Sequence, residues 1–186
     1  MRLDRSVLES LGTDFERIVV QDLRIRYPES KILHNLSFYS AFLGKETQND
    51  ILFIHSKAII SVECKNWTRY IKGSYNDETW TGSSRSHLTL SVFNPITQND
   101  IHIRALRNNL RKQGINPPVF YNLVLLPDGT QLYTDCKEVI NYSRLFYVID
   151  EIVHESKLDI DVKFFENNIR TVSYTHLRAH ETLRHL

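Results

Sequence analysis

The chain has 186 residues, of which 41% are hydrophobic and 24% charged, values typical of a soluble globular protein with one core. No apolar run approaches the roughly 20 residues of a membrane helix, and the N-terminus lacks the apolar segment of a secretory signal. Two cysteines, Cys64 and Cys136, are too few for a disulfide framework. We therefore expect a cytoplasmic protein without a membrane partner.

The last segment, residues 173–186, differs in character from the rest. It contains three of the eight histidines and has no clear apolar period. It resembles translated cloning sequence, so we expect a non-native or disordered tail after a single domain of residues 1–172. A native amphipathic tail is the alternative. Without the tail, 21 of the 23 basic and 21 of the 22 acidic residues remain, so the charges balance. Overall charge therefore does not indicate nucleic-acid binding, which could be inferred only from a local group of residues.

The first predicted element is a helix within residues 12–30, which Thr13 or Asp14 can cap. Its apolar residues recur at helical spacing: Phe15, Val19, Leu23. On the helical wheel Glu16 lies about 20° from Leu23, at the edge of the apolar arc. A glutamate favoured by the helix dipole is the simple interpretation of this position.

The next segments favour strands. "KILHNLSF" predicts a short strand and "AFLGKETQN" a polar loop. "DILFIHS" and "AIISVECKN" are β-branched, apolar and separated only near Lys57, so they predict a buried hairpin. Glycines and Asn-Asp then interrupt the sequence around Trp80, which indicates a ribbon of short strands.

The second clear helix is predicted from "NPITQNDIHIRALRNNLRKQGINPP", with Pro95 before its start and Gly114 past its end. "VFYNLVLLP" predicts a buried strand, "LFYVIDEIVHE" a strand running into a helix, and "DIDVKFFENNI" a final helix. This order predicts an α/β fold with a central mixed β-sheet flanked by helices.

A polar pair ends the second strand of the hairpin. Because side chains alternate along a strand, Glu63 and Lys65 project together, while Val62 and Cys64 point into apolar packing. A solvated ion pair at a strand end, stabilising by only ~0–1 kcal/mol, is the simple alternative. Asp50 opens the first strand, and an antiparallel hairpin brings it close to Glu63.

Two neighbouring carboxylates repel unless a cation neutralises them. Oxygen ligands suit Mg²⁺ or Mn²⁺. A metal held by Asp50 and Glu63, with Lys65 beside a bound water, is an arrangement for phosphodiester hydrolysis.

The spacing of D50 and E63-C64-K65 resembles the core of the PD-(D/E)XK nuclease superfamily, and the chain further resembles the nuclease-related domain (NERD) family. The matching pieces are "GTDFER", "TQNDILFI", "IISVECKNW", the glycine and tryptophan at positions 73 and 80, and "NPITQNDIHIRAL". They run in order through about residues 12–112. One departure is Asn49, which stands where the superfamily motif has proline. The resemblance implies a restriction-endonuclease-like core.

The resemblance also implies roles for individual residues. Asp50 and Glu63 would bind Mg²⁺ or Mn²⁺, with the Cys64 carbonyl as a further ligand. Lys65 would position the attacking water and stabilise charge on phosphorus. Glu16 would serve the metal or its water network. Gln98 matches the glutamine of the second helix motif and would orient the site; a helix-capping or solvent-exposed residue is the alternative.

Three arginines on the second helix are candidates for phosphate contacts: Arg104, Arg107, Arg111. A solvated helix face explains them equally well. For His102 a partly buried structural role is favoured over catalysis, and for Trp67 and Trp80 packing is favoured over base stacking.

The predicted function is thus a metal-dependent nuclease acting on DNA, with RNA as an alternative substrate and the oligomeric state open. A second hypothesis is a nucleic-acid-binding or regulatory module of the same fold without turnover. A third is a metal-binding protein that acts on a nucleotide.

Overall fold

Two β-sheets and their flanking helices form the described part of the chain. The computed structural model describes the backbone of residues 5–83 and 89–183 and the side chains of residues 14–83 and 89–173. The helices there are α1 (Arg5–Arg26), α2 (Pro95–Lys112), α3 (Leu145–Glu155) and α4 (Val162–Leu183), with a 3₁₀ turn at Tyr142–Arg144.

The larger sheet has five strands in the order β1 (Lys31–Ser40), β2 (Lys45–His55), β3 (Ala58–Cys64), β7 (Phe120–Leu126) and β9 (Val139–Asn141). Strands β1, β2 and β3 are antiparallel, whereas β3, β7 and β9 are parallel. The smaller sheet has the order β6 (Thr89–Phe93), β5 (Thr79–Ser83), β4 (Tyr70–Lys72) and β8 (Gln131–Tyr133). The predicted α/β fold with a mixed sheet is confirmed, and it is consistent with a restriction-endonuclease-like core.

Helices cover both faces of the larger sheet. One apolar layer contains residues of α1 and α3, such as Val19 and Ile149. The other contains residues of α2 and α4, such as Leu106 and Ile169. Strand β3 lies between them and is buried from Ala58 to Glu63 because both of its faces are covered.

Alternation along β3 sorts its side chains as predicted. Ile59 packs in the α2 layer, whereas Ile60, Val62 and Cys64 pack in the α1 layer. Glu63 therefore belongs to the face that α2 covers, where it is almost fully buried. A carboxylate at this depth needs partners, and the surrounding elements supply them.

Strand β1 changes its buried face at Asn35. Leu33 and Leu36 are three residues apart, an odd separation, yet both pack in the α2 layer. Asn35 lies between them with a φ of 53°, a left-handed conformation that asparagine tolerates better than most residues. This local reversal breaks the regular alternation of the strand.

The reversal in β1 lies directly across from Asp50 in β2. The antiparallel pairing passes from His34–Ile51 to Leu36–Asn49 without a pair between them. On the other side of β2, the pairing with β3 ends at Ile51–Val62. Asp50 thus occupies a position where the pairing with β1 is interrupted and the pairing with β3 has ended, and its side chain is available for other contacts.

Three predicted boundaries were wrong. Helix α1 begins at Arg5, not near Asp14. Strand β2 already begins at Lys45, in a stretch that was predicted to be a loop. The prediction failed because the inward-facing residues of this stretch, Thr47 and Asn49, are polar. Residues 145–155 are helical throughout, with buried residues four positions apart, so the predicted strand at their start is absent.

The ends of helix α2 lie close to the predicted ones, although Pro95, predicted just before the start, is its first residue. Asn94 caps it, since its side-chain oxygen accepts from the Ile96 and Thr97 N–H groups at 3.0 and 3.3 Å. The Asn94 amide also donates to the Asp77 carbonyl at 2.9 Å, which ties the helix start to the loop before β5. Gly114 follows the helix with a φ of 77°. These contacts set the first turn of α2, which carries Gln98.

Both tryptophans serve packing, as predicted. Trp80 is buried against Gly73, where an added Cβ would lie 2.3 Å from the indole ring. Trp67 covers Gly82 in the same way, again at 2.3 Å. The glycine and tryptophan of the sequence motif are thus one packing unit of the smaller sheet.

The backbone of α4 is helical through Leu183, and the residues after it lie outside the described ranges. Ser173 is buried, and its hydroxyl donates to the Ser37 carbonyl at 3.1 Å. The non-native or disordered character of residues 173–186 and the domain boundary at 172 stay predictions. Among the described helices, none is both long and apolar enough to cross a membrane.

Candidate active site

The site begins with Asp50, at the end of the β2–β3 pairing. Its Oδ2 accepts a hydrogen bond of 2.9 Å from the Cys64 N–H. This bond continues the connection between the strands beyond their last backbone pair. Asp50 and Glu63 are therefore neighbours on adjacent strands, as the hairpin predicted.

Glu63 is held from two sides. Lys65 Nζ donates to its Oε1 at 2.6 Å, and His102 Nε2 lies 3.3 Å from its Oε2. The His102 contact is close but outside hydrogen-bond geometry. Burial acts to raise the pKa of Glu63, but His102 and the Lys65 ammonium outweigh it and hold that pKa below its usual value. Glu63 is thus an ionised carboxylate in the protein interior.

Lys65 connects the strand to helix α2. Its N–H donates to the Leu125 carbonyl at 2.9 Å, which extends the β3–β7 pairing past Cys64. Its Nζ contacts both Glu63 and the Gln98 Oε1, the latter at 3.0 Å. The structure therefore brings Gln98 to the strand residues and gives it a definite contact there.

Glu16 approaches from α1, on the other side of the sheet. Burial raises the pKa of Glu16 and the Glu63 charge raises it further, while Lys65 lowers it. Glu16 is thus within electrostatic reach of the strand residues. It also lines a groove of about 690 Å³ between α1 and β1, together with Asn35.

The pKa of the Asp50 carboxyl group is strongly shifted. Burial and the charge of Glu63 raise its pKa to about 8, with a smaller contribution from Glu16. The Cys64 N–H and Lys65 act in the opposite direction but do not compensate. The site therefore carries more carboxyl groups than its single ammonium can neutralise, which favours an added cation.

The donor set fits a hard divalent cation. Within the described residues no three His, Cys, Asp or Glu side chains form a closed metal-ligand group. Mg²⁺ does not require one, because it usually retains several waters and takes one or two carboxylates. Asp50 and Glu63 are such a pair, and Glu63 Oε2 has no hydrogen-bond partner among the described residues.

A buried asparagine network below the site was missed from the sequence. Asn99 donates to the Ser61 carbonyl at 2.9 Å and to Asn122 Oδ1 at 2.7 Å. It also accepts from the Ser61 hydroxyl, which in turn accepts from Asn49. The network fixes α2 against β2, β3 and β7, so it sets the distance between Gln98 and Lys65. The only sequence signal was polarity at inward-facing positions.

The sequence predicted only a partly buried structural role for His102, whereas the structure gives it two definite contacts. It is buried, and its Nδ1 forms a hydrogen bond of 2.5 Å with the Thr47 hydroxyl. Its other ring nitrogen faces Glu63. The spacing of four residues from Gln98 was the available signal, since both side chains share a helix face.

The three arginines are not brought to the carboxylates by any described contact. Arg104 lies over the exposed ring of Phe42, 5.7 Å from its centroid. Arg107 has a buried Nε that makes no hydrogen bond to any residue the structure describes. Their phosphate contacts, and that of Arg111, stay predictions.

A comparison with known protein families identifies the family of this chain. The family described as nuclease-related domain matches residues 11–127. The chain belongs to the nuclease-related domain family. The match contains all five residues proposed for the site and extends through β7, past the predicted limit near residue 112. The PD-(D/E)XK superfamily placement is consistent with this membership, which indicates a nuclease-related function and an interaction with nucleic acid.

A relative of this family member is an uncharacterized protein of Bacillus anthracis. It is 28% identical over 172 residues, which cover 90% of this chain and 76% of the relative. No solved structure matches the chain significantly.

Proposed function

We propose that this chain is a metal-dependent nuclease that hydrolyses phosphodiester bonds of DNA, with Mg²⁺ or Mn²⁺ as cofactor. The observation that carries the proposal is the cluster of Asp50, Glu63 and Lys65, joined by Gln98 through Lys65 Nζ. A structural ion pair alone does not account for Asp50, which adds an uncompensated carboxyl group to the cluster.

The metal would be held by Asp50 and Glu63, with Glu16 acting through its charge. When bound, a divalent cation lowers the pKa of a coordinated water and polarises a phosphoryl oxygen. In its absence the raised pKa keeps Asp50 largely protonated at neutral pH. Asp50 would therefore release a proton when it binds a cation.

Lys65 and Gln98 would act on the substrate side. The Lys65 ammonium is oriented by the Glu63 carboxylate and the Gln98 carbonyl, at 2.6 and 3.0 Å. A preoriented ammonium stabilises developing charge on a phosphate without reorganising during the reaction. Gln98 would thus be a positioning residue for Lys65.

The test is cleavage of plasmid and linear DNA with Mg²⁺ or Mn²⁺, and with EDTA. Lys65→Ala and Asp50→Asn should each lower the rate by at least about 100-fold. Lys57→Ala and Asp159→Asn are matched controls, because these exposed residues form a 4.0 Å surface pair away from the site. Equal cleavage by the wild type and by both site variants would indicate a contaminating nuclease and refute the proposal.

The second candidate is a nucleic-acid-binding module without turnover. The contact of both Glu63 oxygens with side-chain nitrogens of Lys65 and His102 favours it, because those contacts compete with a metal. DNA binding without cleavage in several divalent metals would support this candidate over the nuclease. The third hypothesis is a metal-binding protein that acts on a nucleotide, and competition of free nucleotides with DNA for cleavage distinguishes it from the nuclease.

A further inference from the structure

A cleft of about 470 Å³ opens beside the candidate active site. It is enclosed by the turn between β1 and β2, the first residues of β2, the end of β6 and the first turns of α2. Asp50, Gln98 and His102 are among its lining residues. The cleft is therefore continuous with the residues proposed for the reaction.

Three of the other lining residues have apolar side chains: Leu43, Phe93, Ile101. Phe93 is 43% exposed and Leu43 is 38% exposed. Phe42, next to Leu43 in the chain, is 68% exposed and lies under Arg104. Large apolar side chains that are grouped together on the surface often mark an interaction site.

We propose that this cleft binds single-stranded nucleic acid, with a base stacked on Phe93 and the backbone directed toward Asp50 and Lys65. The inference rests on the proposed function and assigns its substrate class. The size of the cleft suits about one nucleotide, and its volume lies within the usual range of small-molecule sites.

Stacking requires an unpaired strand. In a duplex each base face is covered by its neighbours, whereas the bases of a single strand can stack on aromatic side chains. Phe93 lines the cleft and keeps 43% of its surface exposed, so an unpaired or terminal base could lie against it.

The charge of the cleft argues against a duplex. Duplex binding depends on many lysines and arginines that neutralise phosphates. Here Lys45 lies beside Glu46, and Asp50 adds a further carboxyl group to the lining. Arg104 lies over the ring of Phe42, which precedes the lining residue Leu43 in the chain, and this pair is a combination suited to one phosphate and one base.

The test measures binding separately from cleavage. Fluorescence anisotropy would be recorded in Ca²⁺ without Mg²⁺, with a short labelled DNA strand and with the same sequence as a duplex. The wild type should bind the single strand more tightly. Phe93→Ala should weaken that binding by about five- to 150-fold, the range for loss of one base stack. Phe93→Leu, which keeps apolar bulk but not the ring, should also weaken it.

Phe164→Ala is the matched control. Phe164 is 45% exposed on α4 and lines none of the clefts described above, so its variant should bind like the wild type. Tighter duplex binding by the wild type, or equal affinities of the Phe93 and Phe164 variants, would overturn the inference. Far-UV circular dichroism of each variant establishes that it is folded.

The two proposals can fail separately. Cleavage of DNA with no effect of the Phe93 variants would overturn the stacking inference and leave the nuclease proposal intact. Single-strand binding that depends on Phe93, without cleavage in any metal, would support the cleft and refute the nuclease.

Discussion

Asp50→Asn should stabilise the metal-free protein at neutral and alkaline pH. Ionising Asp50 in the folded protein is costly because it is buried beside the ionised Glu63. Asparagine carries no charge, and its side-chain oxygen can still accept from the Cys64 N–H. The substitution therefore removes the cost of a charge while retaining the hydrogen bond.

The magnitude follows from the shift in the pKa of Asp50, from 3.8 to about 8. Because Asp50 is ionised at pH 7 in the unfolded chain but largely protonated in the folded protein, this shift lowers the free energy of unfolding by about 4 kcal/mol at pH 7. Asp50 is partly exposed, and solvent screening reduces this figure to about 2–4 kcal/mol. Because the folded pKa is raised, the cost is absent below pH 3.8, grows as the pH rises, and is complete above about pH 8.

The assay is urea denaturation in EDTA at pH 5, 7 and 8.5. The free energy of unfolding of Asp50→Asn should exceed that of the wild type by an amount that increases with pH. Asp159→Asn is the control, since its side chain is 95% exposed and its surface pair contributes little. An Asp50→Asn variant that is less stable than the wild type at pH 8.5, or a gain independent of pH, would refute the electrostatic argument.

Added Mg²⁺ extends the same experiment. It should raise the unfolding free energy of the wild type and leave Asp50→Asn nearly unchanged, because a bound cation stabilises only the protein that retains its ligand. Equal effects on both proteins would show that the cation binds elsewhere.

Three further predictions concern stability alone. Lys65→Met should lower the free energy of unfolding by about 3 kcal/mol, because it leaves the buried Glu63 carboxylate without the ammonium group that pairs with it. A urea denaturation curve equal to that of the wild type would contradict this prediction. His102→Ala should cost about 2 kcal/mol in the same measurement through loss of the Thr47 hydrogen bond, with partial recovery in His102→Gln. Gly73→Ala should lower the melting temperature, since its Cβ would meet the Trp80 ring at 2.3 Å, and a melting temperature equal to that of the wild type would show that the ring can move.

Much of the candidate site could be predicted from sequence because its geometry is local. A tight hairpin fixes which residues of two adjacent strands face each other, and strand alternation fixes which side chains share a face. Asp50, Glu63 and Lys65 were therefore recognisable as neighbours. The ends of α2 were recognisable for the same reason, since its cap and its final glycine act on the nearest turn.

Other elements depended on partners distant in the chain. Strand β2 was predicted too short because its first residues are polar and become a strand only by pairing with β1. The short strands β8 and β9 pair in parallel with β4 and β7, and no local pattern indicates such partners. Their formation depends on the assembled sheet.

The sequence by itself determined the hairpin, the amphipathic helices and the identity of the charged pair at the strand end, because these follow from periodicity and nearest neighbours. Only the tertiary structure decided what surrounds that pair. It placed His102 against Glu63, Gln98 against Lys65 and Phe93 in the lining of the cleft. It also raised the pKa of Asp50, since burial and charge proximity depend on how helices pack across the sheet and not on spacing along the chain.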